Sequence, residues 1–243
     1  MTRSAIQLFT LRNVDRPFTE ILELVEEAGF DGVEFAYRVV DEDPATVRET
    51  LEDTGLTVAG AHVGIEALED DFAETIAFYD ALGVDNIVIP WLEPENFESR
   101  AAVSAAAERV AAVQADVEAE GKQLHYHNHD QEFLDLDGEF AFDHFVEATT
   151  CGIELDLGLA MTAGDDVVAR LRSLGERSRL VHLKDRDVEA DVTVPVGQGD
   201  LDLEAIGDAV VENDSDWLIY EFEGEDPLAT LERSAERTND LCS

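Results

Sequence analysis

Lysine is nearly missing from this chain. Of 243 residues only Lys122 and Lys184 are lysines, and all basic residues together number 16 against 57 acidic ones, a formal net charge of −41. No basic stripe is available to neutralise phosphates, which argues against nucleic acid as a partner. Cysteine is scarce as well. Cys151 and Cys242 are too few for a disulfide framework and lack the paired spacing of a zinc knuckle, so both read as plain thiols. No stretch approaches the roughly 18 consecutive apolar residues of a membrane span. No charged-then-apolar leader opens the chain, and the expectation is a soluble, cytoplasmic protein without a membrane partner.

Acid takes the place of the missing lysine. It is not gathered into a tail but spread through segments such as "ILELVEEAG" and "AAERVAAVQADVEAEG", which keep an apolar face. The acid therefore coats a folded domain. A charge of this size repels itself unless salt screens it, and the Debye length shrinks to about 3 Å at molar salt. The composition resembles that of halophilic proteins from haloarchaeal cytosol, where molar KCl provides that screening.

A repeat organises the chain. Helix-period segments end at a glycine and a short apolar run follows, as in "VEEAGFDGVEF", "LEDTGLTVAGAH", "DALGVDNIVIP", "VEAEGKQLHYHNH" and, more loosely, "RSLGERSRLVHLKD". Gly29, Gly55, Gly83, Gly121 and Gly175 sit where a helix C-cap takes the left-handed conformation, and each following run reads as a buried parallel strand. Asp43-Pro44 and Asp226-Pro227 place an N-cap acid before a first-turn proline. With "AIQLFTLR", "CGIELDLG" and "DWLIYEFE" added, eight strands are expected at about residues 5–10, 32–36, 57–63, 85–90, 123–128, 152–156, 179–184 and 217–222. Eight strand–helix units in 243 residues are the size of one α/β domain, a (βα)8 TIM barrel spanning 1–243. An open doubly wound sheet is the competing architecture, but no G-x-G-x-x-G follows the first strand.

In a barrel of this kind the site lies where strands end. The strand ends carry Gln7, Glu34, His62, Trp91, the row His125, His127 and His129 from "QLHYHNHDQEF", then Asp156, His182 with Lys184 and Asp185, and Glu221. Alternate positions of an extended strand face one side, so the histidine row runs from the barrel interior into a polar mouth. Asp156, His182 and Glu221 each end an apolar strand, where burial penalises an unpaired charge. Two carboxylates and an imidazole around one divalent ion would satisfy one another, and such O/N ligation suits Mn, Zn, Co or Mg without choosing among them. Taken singly, a strand-end acid commonly caps the next helix and a strand histidine is commonly a hydrogen-bonded core residue.

"GIELDLG", "VHLKD", "PVGQGDLDLEAI" and "IYEFE", with "AIQLFTLR", "FDGVEF" and "LTVAGAHVG", resemble the xylose-isomerase-like TIM-barrel superfamily of sugar phosphate isomerases and epimerases. Inosose dehydratases and an apurinic endonuclease branch share that superfamily. The resemblance implies one divalent metal held by a strand-five glutamate, a strand-six aspartate, a strand-seven histidine and a strand-eight glutamate, the last three matching Asp156, His182 and Glu221. Strand five departs from the pattern. It carries His127-Asn128-His129, with a carboxylate only at Glu132, so either His127 or Glu132 is the fourth ligand. In the epimerase branch the strand-five and strand-eight glutamates form the acid/base pair, and losing one weakens the case for simple 3-epimerisation. The histidine pair is closer to the inosose-dehydratase-like and uncharacterised sugar-isomerase members.

The expected activity is a metal-dependent sugar isomerase or epimerase that moves a proton beside a carbonyl of a keto-sugar or polyol-derived ketone, with a dehydratase on the same scaffold as the alternative. Glu221 or Glu132 would take the proton, and His127 or His129 would return it. His62, His129, Lys184, Trp91 and Glu34 are the candidate substrate contacts, Trp91 as an apolar wall for a sugar face. In the loop "PVGQGDLD", Gly197 and Gly199 permit a close backbone approach, and Asp200 or Asp202 would cap the helix starting at "LEAI". Those acids oppose a phosphate there, so a neutral small-molecule sugar or polyol fits better than a phosphorylated one. A non-catalytic sugar-binding barrel remains a further reading, an abasic-site endonuclease a weak one, and a homodimer is the default assembly.

Overall fold

A computed structural model describes residues 1–243, the side chain of Tyr37 excepted. Eight parallel strands close into a barrel: Arg3–Gln7, Gly32–Phe35, Thr57–His62, Asn86–Ile89, Gln123–His127, Gly152–Asp156, Leu180–Leu183 and Trp217–Tyr220. They are numbered one to eight below. Each pairs with its sequence neighbours, and strand one closes on strand eight with Ala5 opposite Ile219. Helices pack outside, the longest being Arg100–Ala119, whose N-terminus is capped by Ser99 accepting from the Ala102 N–H. The cap at Asp43 forms as the sequence implies, its carboxylate accepting from the Thr46 N–H with Pro44 in the first turn.

Three local expectations change, the first at Gly175, which caps its helix at φ 52° and ψ −128° rather than in the left-handed conformation. Strand one ends at Gln7 rather than near residue 10, because the Gln7 side chain accepts from the Phe9 N–H and starts the short 3-10 turn Leu8–Leu11. Asp226-Pro227 opens another short turn, Leu228–Thr230, and the last helix begins only at Leu231.

The core has two compartments. A large one fills the space between strands and helices, and a small one of Ala5, Ala59, Val88, Leu180, Trp217 and Ile219 fills the lower barrel interior. An indole fits there only because its neighbour on the wall is Gly32, where a Cβ would collide with the Trp217 ring. The Arg3 guanidinium lies 3.8 Å over that ring and closes the bottom. Above this apolar plug most inward positions turn polar, among them Gln7, Glu34, His127, Glu154, His182 and Glu221. That change of chemistry, partway up the same strands, places the site.

Candidate active site and metal centre

Register brings the polar residues to one level. His127 lies opposite Glu154, Asp156 opposite His182, and Gln7 opposite Glu34. Because strand side chains alternate, the i and i+2 pairs His125/His127 and Glu154/Asp156 all point inward. His125 is the lowest, at the depth of the apolar plug, with its Nε2 3.2 Å from Asn86 Oδ1. Burial pushes its pKa down to about 4, so it stays a neutral packed imidazole.

One level up, His127, Asp156, His182 and Glu221 each offer a ligand atom, and those four atoms lie within 4.8 Å of one another. Strands five, six, seven and eight each supply one donor. Asp156 Oδ1 caps the helix Leu157–Thr162 through the Leu159 N–H, while Oδ2 is buried without an aligned hydrogen bond. The Lys184 ammonium stands 3.2 Å from that Oδ2, 3.1 Å from Glu221 Oε2 and 2.8 Å from Glu223 Oε1. Burial disfavours a charged lysine, but Asp156, Glu221 and Glu223 outweigh it and hold the amine well above its usual range. Burial likewise raises Asp156 against the pull of Lys184, whereas Lys184 and His182 overcome burial at Glu221 and depress it. A buried acid oxygen aimed at two imidazoles and a second carboxylate is a donor set that a divalent cation fits.

Over residues 22–241 the sequence matches the xylose isomerase-like TIM barrel family. The chain belongs to that family. A sugar phosphate isomerase/epimerase from Parabacteroides distasonis has the same fold, with a TM-score of 0.85 at 18% identity over 100% of this chain and 96% of that one. An L-ribulose 3-epimerase gives 0.74 at 19% identity over 100% and 98%. A probable 3-DHS dehydratase from Bacillus anthracis gives 0.77 at 17% over 97% and 98%. At such identities the likeness establishes the fold alone. No functionally curated protein matches the sequence.

Within this xylose isomerase-like barrel the strand-end residues divide. His62, Trp91, His127, His129, Lys184 and Glu221 line a cavity of about 480 Å³ with Phe9, Pro90 and Leu159 among its apolar walls. Trp91 stands at the mouth with its ring edge-on to His129, centroids 4.6 Å apart. Burial and the nearby Lys184 depress His129 to about 3. Glu34, expected as a substrate contact, is instead sealed beneath the floor. Its Oε2 lies 2.6 Å from Gln7 Nε2 and 2.7 Å from His182 Nε2.

Glu132, expected near the metal or as a base, is turned away from the centre. Its two oxygens accept from Tyr126 Oη at 2.5 Å and from the His129 N–H at 2.8 Å, so it braces the strand-five loop from behind. The reason is local: the short turn Gln131–Phe133 folds its side chain back against its own strand. Burial pushes the carboxyl up to about 7. Asp185 is also structural, accepting from the N–H groups of Gly197, Gly199 and Leu201. The close approach that Gly199 permits is to this carboxylate, which a Cβ would strike, and Asp202 caps the helix Leu203–Glu212.

The residue missed by the sequence reading is Glu154. Wholly buried, its Oε2 lies 2.9 Å from His62 Nε2, 3.1 Å from His127 Nδ1 and 3.2 Å from His182 Nε2. The signal was present in "GIELD", a second acid two positions before Asp156 on the same face of an otherwise apolar strand. Burial and the neighbouring Glu34 push Glu154 up to about 7. Glu34, against its own burial, is held at about 2 by His62 and His182. His182 is correspondingly raised, Glu154 and Glu34 prevailing over burial.

Proposed function

We propose that this chain is a divalent-metal-dependent enzyme that moves a proton at the carbon beside a carbonyl, in a neutral keto-sugar or polyol-derived ketone. The observation that carries this is the convergence of His127, Asp156, His182 and Glu221 at the floor of an open, largely apolar-walled cavity. A cation held there would bind a substrate hydroxyl and its adjacent carbonyl oxygen and stabilise the charge left when the intervening carbon loses its proton.

The side chains divide the remaining work. Glu221, ionised and at the cavity wall, is the base that reaches substrate. Lys184 sits against it with a full ammonium and donates to a developing oxyanion or a departing hydroxyl. Trp91 and Phe9 cover the apolar face of a sugar ring. The carboxylates lining the cavity, Glu221 and Glu223, both follow strand eight, while imidazoles occupy the wall of strands three to five. One carboxylate base on one wall favours a proton shift between neighbouring carbons on a single face. Inversion at one carbon would need a second base, and His129 is the group placed for it. The Lys184 ammonium beside Glu221 equally serves loss of a β-hydroxyl, which keeps the dehydratase as the second reading.

Among the described residues lining the cavity the one lysine or arginine is Lys184, already shared by three acids. That supports an uncharged substrate over a phosphorylated one, and with the acidic surface it disfavours nucleic acid. The test is deuterium wash-in from D2O at molar KCl, across a panel of ketoses and inososes, with Mn, Mg, Zn or Co added. Exchange at a carbon beside a carbonyl, dependent on the metal and lost in Asp156→Ala and Glu221→Gln, is the expected result. Absence of exchange with every metal and substrate would remove the reading.

A further inference from the structure

Strand six carries two carboxylates on one face, one above the other. The upper, Asp156, belongs to the donor set just described. The lower, Glu154, has no solvent-accessible surface and reaches no substrate. Together with its neighbours it completes a second set of donors, His62, His127, Glu154 and His182, whose ligand atoms also fall within 4.8 Å of one another. The two sets overlap in His127 and His182. A neutral imidazole has one lone pair, and the nitrogen that carries hydrogen cannot bind a metal. Each shared histidine can therefore serve only one set at a time.

The geometry decides which. His127 turns Nδ1 down to Glu154 at 3.1 Å and Nε2 up toward Asp156, 3.9 Å away. His182 turns Nδ1 toward Glu221 at 3.0 Å and Nε2 toward Glu34 at 2.7 Å. Glu34 is itself fixed from the side by Gln7, and it lies so close to Gly60 that a Cβ there would press on its Oε1. We propose that Glu154 and Glu34 are positioning residues that hold the hydrogens on His127 Nδ1 and His182 Nε2, so that both lone pairs point up and a divalent cation binds at the cavity floor rather than in the sealed chamber below. This rests on the metal-dependent reading of the site. Carboxylates behind ligating histidines fix tautomer and ring orientation in this way, and their loss typically weakens metal binding 10- to 100-fold. The chamber below is a real competitor, since Glu34 Oε1 and Glu154 Oε1 are buried there without partners.

The experiment uses the full chain at molar KCl with zinc as the probe. Zinc affinity is measured by chelator competition for wild type, Glu154→Gln, Glu154→Ala and Glu34→Gln, and histidine 15N long-range spectra of the loaded wild type show which ring nitrogen is bound. The expected result is one ion per chain, held through His127 Nε2 and His182 Nδ1. Affinity should fall at least 10-fold in Glu154→Ala and less in Glu154→Gln, which keeps one acceptor. Binding through His127 Nδ1, or affinities within twofold of wild type in both folded Glu154 variants, would overturn the assignment while leaving a metal enzyme intact. A wild type that binds no zinc, manganese, cobalt or magnesium would overturn the metal reading itself. The wild-type spectrum decides the matter even if the variants fail to fold.

Discussion

Glu132 and Glu154 are both buried glutamates beside histidines of the 125–129 row, Glu132 at the His129 N–H and Glu154 at His127, yet their oxygens meet different partners, and the difference is measurable. Glu132→Gln should retain the metal and any exchange activity to within a few-fold, whereas Glu221→Gln should lose exchange by 100-fold or more, as expected for removal of a base. The pair of variants, assayed together, separates a brace from a reacting group. Glu132 also sets a pH dependence. Its pKa rises from 4.5 unfolded to about 7 in the fold, so the fold keeps the proton longer than the open chain does. Stability is full below pH 4.5 and declines as pH rises through 7, by about 3 kcal/mol in all. The melting temperature of Glu132→Gln relative to wild type should therefore climb between pH 5 and pH 8; a pH-independent difference would contradict it. Asp156 tells a related story, since burial penalises its charge when no cation is near. Metal-free Asp156→Asn should melt no lower than metal-free wild type, while losing the stabilisation that added metal gives wild type. A fall of several degrees in the metal-free variant would mean that Lys184 alone already satisfies the carboxylate.

The loop after strand seven shows how one side chain can shape an element. Residues 186–201 make a two-residue antiparallel ribbon, Arg186–Asp187 with Val192–Thr193, and return to the barrel under Asp185. Four backbone N–H groups converge on that buried carboxylate, from Arg186 at 3.1 Å, Gly197 at 2.8 Å, Gly199 at 3.0 Å and Leu201 at 3.3 Å. Asp185→Ala strands these donors, with a cost of roughly 2–4 kcal/mol. The denaturation midpoint should drop accordingly, and limited proteolysis should cut first within 186–201. Unchanged proteolysis would mean that the ribbon holds the loop by itself. The glycines of "PVGQGD" are legible in the sequence as a close approach, but what they approach is not. A nearby carboxylate and a ligand phosphate leave the same glycine spacing.

At the scale of the whole molecule the acid coat and the two lysines belong together. Lys122 and Lys184 are both nearly buried, Lys122 bridging Asp80 and the Val84 carbonyl and Lys184 sitting among the site carboxylates. The surface cations are arginines, several engaged in pairs such as Arg109 with Glu66 and Glu69. A net charge of −41 thus has little surface compensation, and screening must come from salt. Raising KCl from about 0.1 M to 2 M should lift the melting temperature by ~10 °C or more, several kcal/mol for a chain of this size; an isocharge sucrose control should give much less, and a flat response to KCl would sink the electrostatic account. The sequence by itself determined the barrel, since helix-to-strand periodicity, C-cap glycines such as Gly29 and Gly55 and eight apolar runs are local properties written in neighbouring residues. It also marked Asp156, His182 and Glu221, because a charged group ending an apolar strand stands out in one dimension. Only the tertiary structure decided that His127 completes their cluster, that Glu132 turns back to Tyr126, and that Glu34 and Glu154 lie beneath the floor. Those outcomes depend on which strands are neighbours and at what register, and residues 148 positions apart, such as Glu34 and His182, meet only once the barrel closes.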